Sequence, residues 1–136
     1  MKNILFIIFL ISQSSYSDNH LEISILTCSP GDEVYSVFGH SAIRIKDKDQ
    51  SLDWVYNFGM FDFKSPNFTF KFIRGKLKYY LGIQKTEDFL EQYTRENRLV
   101  LEQKLNLSEK QEIQLLTKLN YLYKPENRQY YYSFLK

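Results

Sequence analysis

Three side chains in this sequence have the types and positions for nucleophilic or proton-transfer chemistry: Cys28, His40 and Asn57. His40 follows Gly39 and opens an alternating run, which puts its imidazole at a sheet end beside a flexible backbone. A sheet holds such a group still while the loop leaves it reachable, and imidazole moves protons near neutral pH. The plainer alternative is a histidine that only hydrogen-bonds locally at a strand start. Asn57 matters through its relation to His40. If the runs 40–45 and 54–58 pair as a hairpin, the far end of the second returns beside the start of the first. An amide oxygen there can accept from one imidazole nitrogen and fix the tautomer, leaving the other nitrogen to activate a nucleophile. Read alone, Asn57 beside Phe58-Gly59 is first a turn residue.

Cys28 is the only cysteine, so an internal disulfide is excluded. It reads as a buried, inert apolar side chain, as a reactive thiol that could form a thiolate–imidazolium pair with His40, or as a cysteine whose partner lies on another chain or in a missing segment. A helix starting near Pro30 would lower its pKa through backbone amides. Against the pair, the segment of eleven residues between them is short for bringing two side chains face to face.

The elements that must position these residues follow from periodicity. Leu21–Thr27, His40–Ile45, Trp54–Phe58, Lys76–Ile83 and Arg98–Leu105 read as strands, and Tyr130–Leu135 reads as a last strand or the approach to a helix. Lys46–Ser51 reads as a polar hairpin loop, while Phe61–Phe72 fits strand or helix equally. Thr86 is a good N-cap for a helix to about Tyr93, with Phe89, Leu90 and Tyr93 as its buried stripe. Ser108 with Gln111 makes a capping-box pattern; Ile113, Leu116, Leu119, Leu122 and Tyr123 then repeat at helical spacing until Pro125. Strands and helices without a βαβ rhythm predict an α+β fold, a mainly antiparallel sheet with two or three helices packed on it.

Residues 1–17 read as a secretory signal peptide: Lys2, the apolar run Ile4–Ile11, then Ser15 and Ser17. The apolar run is eight residues long, against about 20 for a membrane span. The mature chain is expected from about Asp18, in an exported, periplasmic location. Without Lys2 the chain has 17 basic against 16 acidic residues, which argues against a polyanion-binding protein. The basic–aromatic stretch from Lys64 to Tyr80 mimics a nucleic-acid surface, but export points instead to a solvated strand face or a surface for lipid head groups or anionic glycans. The only histidines, His20 and His40, have no ligand spacing to carboxylates, so neither metal nor cofactor is expected.

The runs Leu26–Glu33, Tyr35-Ser36 and Phe38–Arg44 resemble the Lnb N-terminal periplasmic domain family. So do Tyr56–Gly59, Phe61–Phe63, Pro66–Phe68, Phe72 with Arg74–Lys76, and Pro125–Arg128. In that family the segment resembling Tyr130–Phe134 runs on into an Asp-Asn-Cys-Ser-Thr motif. The resemblance therefore implies that residues 18–136 form the N-terminal part of a longer, here incomplete domain. A second likeness, of fold only, is to permuted papain-like hydrolases and acyltransferases of the NlpC/P60 and lecithin–retinol acyltransferase kind. There a His opens one strand, a polar orienter sits on the next, and a Cys comes last. His40 and Asn57 match the first two roles in order.

The function expected is thus an exported envelope domain lacking the nucleophile of a thiol hydrolase or acyltransferase, inactive alone. The alternative is a non-enzymatic module that binds glycan, lipid or a partner protein through its aromatic face. Its partner is expected to be envelope material (peptide, lipid or glycan), with no nucleic acid, and with membrane association only through segments outside this sequence. Oligomeric state is left open.

Overall fold

The structure, a computed structural model, describes residues 21–132. The leader expected over residues 1–17, His20 and the last four residues lie outside that range. Alternation along β1 (Leu21–Cys28) buries Ile23 on one side of the strand and Leu26 and Cys28 on the other. β1 pairs antiparallel with β2 (His40–Asp47), which turns into β3 (Leu52–Met60). The hairpin link is shorter than the expected loop over Lys46–Ser51. Lys46 and Asp47 stay in register with Asp53 and Leu52, and the Asp47 carboxylate accepts from the backbone N–H of Asp49 and Gln50 at 2.9 and 3.0 Å.

The remaining strands are β4 (Lys78–Lys85), β5 (Val100–Lys104) and β6 (Gln129–Tyr131). They complete one antiparallel six-stranded sheet ordered β5-β1-β2-β3-β4-β6. β1 to β4 therefore stand side by side in chain order, and the two late strands close the edges. Helices α1 (Phe68–Ile73), α2 (Thr86–Arg95) and α3 (Glu109–Tyr123) cover the sheet, and the α+β expectation holds.

The path from β4 to β5 must cross the whole sheet, and α2 makes that crossing on one face. Phe89 and Tyr93 of α2 pack on Leu26, Cys28, Ala42 and Val55. α3 returns across the opposite face, where Leu119, with Leu115, Leu116 and Leu122, packs on Ile23, Ile45, Tyr56 and Leu81. The Tyr56 hydroxyl donates to Asn120 Oδ1 at 2.9 Å and fixes α3 against β3. α3 starts at the Ser108–Gln111 capping box, as its spacing predicts.

Three local expectations are corrected. Thr86 is not the N-cap of α2: Lys85 holds that position, and the Thr86 hydroxyl donates to Asp53 Oδ1 at 2.6 Å, drawn by a carboxylate already anchored on β3. Leu90 is 38% exposed because Thr86, Phe89 and Tyr93 already fill the i, i+3, i+7 face. Ile113 is exposed, and Glu112 takes the buried place beside it. The ambiguous stretch 61–72 divides into a loop and α1. Its aromatics form a third cluster with Leu77, Tyr79 and Tyr130, in which Phe61, Phe63 and Phe68 surround Tyr35.

Candidate functional site

The site lies where β1 ends, β2 begins and β3 finishes. Gly39 has φ +74°, and a Cβ there would meet the Cys28 carbonyl oxygen at 2.6 Å. Only glycine fits that turn without strain, and it delivers His40 into β2 directly opposite Cys28. In β3 the register slips between Asn57 and Met60, with Gly59 at φ +85°. Such bulges re-aim neighbouring side chains. The Gly59 position lies close to the imidazole: a Cβ built there would be 3.9 Å from His40 Cε1.

His40 Nε2 lies 2.6 Å from Asn57 Oδ1. A carboxamide oxygen can only accept, so Nε2 carries the proton and Nδ1 is left as the basic nitrogen. Among the described residues Nδ1 has no hydrogen-bond partner, and no buried side-chain nitrogen or oxygen is left unsatisfied. The unpartnered nitrogen therefore reaches solvent. Burial pushes the imidazole pKa below its ordinary 6.5; the Asn57 bond opposes that shift and the Arg98 guanidinium adds to it. His40 is accordingly neutral at pH 7, in the state required of a base.

Two pockets meet at this imidazole. A mixed pocket of about 210 Å³ around His40 is bounded by Asn57, Gln84, Gln92, Glu96 and Arg98 and by Tyr35, Met60, Phe61 and Phe63. An aromatic pocket of about 260 Å³ runs from His40 past Phe58, Phe61, Phe72, Tyr79 and Tyr130 to Tyr132. The imidazole thus borders one mixed and one mainly aromatic space.

Cys28 shares the sheet face of His40 and sits opposite it in the register, so the short connection does not keep the two apart. The thiol nonetheless belongs to the α2 core. Cys28 is 2% exposed and lines neither pocket. Burial raises its pKa above the ordinary value, an effect partly offset by a hydrogen bond with the Tyr93 side chain. The helix considered at Pro30 is absent: residues 33–38 form turns, with Ser36 N–H bonded to Glu33 O at 2.8 Å. No helix start stabilises a thiolate there.

Arg98 is the functional neighbour that sequence reasoning missed. Its side chain is 7% exposed, its Nε donates to Ser29 O at 3.0 Å, and its Nη1 donates to Glu96 Oε2 at 2.8 Å. The guanidinium stacks 4.5 Å from the centre of the Tyr93 ring. Ser29 N–H bonds Leu99 O at 2.8 Å, so the loop before His40 is tied to the entry of β5. No local pattern announces an arginine whose partner is 69 residues away. Its one signal was a charge at the start of an otherwise alternating strand.

Among the described residues no group of three or more His, Cys, Asp or Glu is arranged to hold a metal ion. No helix there is long and apolar enough to cross a membrane.

An antiparallel sheet clasped between crossing helices, with an imidazole–carboxamide pair at one end, defines the class of domain. The Lnb N-terminal periplasmic domain family matches residues 11–136, and the chain belongs to that family. It is an exported, periplasmic domain. No curated protein and no solved structure matches the chain significantly.

Proposed function

We propose that this domain supplies the base and its orienter to a thiol hydrolase or acyltransferase acting on amide or ester bonds of envelope material. The observation that carries the reading is the 2.6 Å contact between His40 Nε2 and Asn57 Oδ1, which leaves Nδ1 as a neutral base at the pocket wall. In the proposed reaction Nδ1 takes the proton of a thiol, and the thiolate attacks the carbonyl carbon. The imidazolium then protonates the leaving amine or alcohol as the tetrahedral adduct collapses to a thioester. Water or an acceptor nucleophile, deprotonated by the same nitrogen, releases the acyl group and restores the thiol.

The thiol is proposed to come from sequence beyond residue 136. Cys28 suits the role poorly, being buried under α2 with its pKa raised. Tyr130 and Tyr132, by contrast, border the same pocket as His40. On this reading residues 1–17 are a cleaved leader and residues 18–136 the front part of the domain.

The test is the genomic sequence downstream of Lys136, expressed in frame with this chain. The expected result is a cysteine alkylated by iodoacetamide well below the free-thiol range of about 8.5, and returned to that range by His40→Ala. A missing cysteine, or one whose alkylation ignores His40, would sink the proposal.

A second reading is favoured by the aromatic pocket itself: a non-enzymatic module whose pocket between Phe58 and Tyr132 holds an apolar ligand group. It predicts ligand binding that survives His40→Ala.

A further inference from the structure

The segment from Phe61 to Tyr80 holds five basic residues, Lys64, Lys71, Arg74, Lys76 and Lys78, and one acidic residue, Asp62. The whole chain carries a formal net charge of only +2, so this segment is the basic pole of an otherwise slightly acidic molecule. None of the five has a carboxylate partner among the described residues. Lys71 Nζ donates to Ser65 Oγ at 3.2 Å, and Arg74 lies over the Phe70 ring at 4.3 Å.

The same surface is also apolar. In α1, Phe68 and Phe72 turn inward onto the aromatic cluster, which drives the other side of the helix outward. Phe70 is 57% and Ile73 64% exposed, and Phe63, packed on Phe68, is 60% exposed. Lys76 follows at once, its N–H bonded to Lys71 O at 2.8 Å. Bulky apolar tips ringed by unpaired cations suit neither a folded core nor plain water. They match the anionic headgroup layer of a bilayer, into which apolar side chains dip while lysines and arginines meet phosphates.

We infer that α1 and its flanks form a docking surface for an anionic phospholipid bilayer, with Phe70 and Ile73 inserted and Lys64, Arg74 and Lys76 at the headgroups. Membrane contact is thereby assigned to the chain's own surface rather than to a segment outside it. The inference stands whether or not His40 is a base.

The test is co-sedimentation of the chain with vesicles of phosphatidylcholine alone and of phosphatidylcholine mixed with phosphatidylglycerol. Binding to the mixed vesicles is expected, weakened by added salt and by omission of the anionic lipid. A triple variant, Lys64→Gln with Arg74→Gln and Lys76→Gln, should bind at least about tenfold more weakly. So should Phe70→Ser with Ile73→Ser. All five positions are exposed, and an unchanged melting temperature separates lost docking from lost fold. If the apolar variant melts early, the charge variant decides. Equal binding to both vesicle types, wild-type binding by the charge variant, or binding to an anionic polysaccharide without binding to vesicles would overturn the inference.

Discussion

Cys28 and His40 stand opposite one another across β1 and β2, on one face of the sheet, yet only the imidazole borders a pocket. The helix α2 makes the difference. Tyr93 and Phe89 cover the sulfur, while the imidazole on the neighbouring strand lines both pockets.

Cys28 should therefore resist alkylation in the folded chain. Burial raises its thiol pKa, so modification by iodoacetamide should accelerate only above the ordinary value of 9.0 and reach the free-thiol rate on denaturation. Phe89→Ala should cost about 3–5 kcal/mol by opening a cavity and speed the reaction at constant pH. Rapid alkylation of the native chain at pH 7 would contradict this burial.

Asn57→Ala removes the bond that supports the charged imidazole, so the His40 midpoint should fall further below 6.5. Proton NMR titration of the imidazole Hε1 signal reads this directly. Because the folded pKa is depressed, the stability tied to neutral His40 is fully present above 6.5. It is lost as pH falls through the folded midpoint. The variant should also lose about 1 kcal/mol at neutral pH. An upward shift of the midpoint would refute the assigned direction of the bond.

Gly39→Ala should destabilise the chain by about 1–3 kcal/mol, since a positive φ and a 2.6 Å approach to the Cys28 carbonyl both oppose a Cβ. The chemical shifts of His40 should move with it. Thermal melting within error of the parent would show that the turn adapts without strain.

Arg44→Met should cost about 1–3 kcal/mol. Arg44 bonds Asp53 through both carboxylate oxygens, at 2.8 and 2.5 Å, and Glu102 through both of its own, at 3.0 and 2.9 Å, tying β2 to β3 and across β1 to β5. Arg44 and the Thr86 hydroxyl hold the Asp53 carboxyl below its ordinary 3.8. The stability it lends is present above that value and lost as pH falls through the folded one. Acid unfolding of the variant should therefore be shallower; an unchanged acid limb would remove Asp53 from the network.

Most of the strand framework was legible, because two-residue alternation in 21–27, 40–45 and 54–58 allows one buried face at a time. The His40–Asn57 contact was legible for the same reason: antiparallel pairing returns the end of one strand to the start of the other. Local patterns say less about what tertiary partners decide. Thr86 bonds a carboxylate 33 residues back instead of capping its helix. Arg98 finds a carbonyl 69 residues back. The aromatics of 61–72 fit either period until the cluster around Tyr35 and Tyr79 chose helix for α1. The eleven-residue link between Cys28 and His40 looked too short because Pro30-Gly31 signals one turn, while the turns over 34–38 that Gly39 closes leave no such mark.

The strand order also sets a sequence of events in folding. β1 to β4 are chain neighbours joined by local links, whereas β5 pairs with β1 only by way of α2 crossing the sheet, so β5 is expected to dock after α2. Joining those two strands closes a loop of about seventy residues, the slower and entropically costlier step. The sulfur under α2 is therefore a built-in clock for the step before it: during refolding, Cys28 should lose its reactivity when Phe89 and Tyr93 pack on the sheet, ahead of β5 docking.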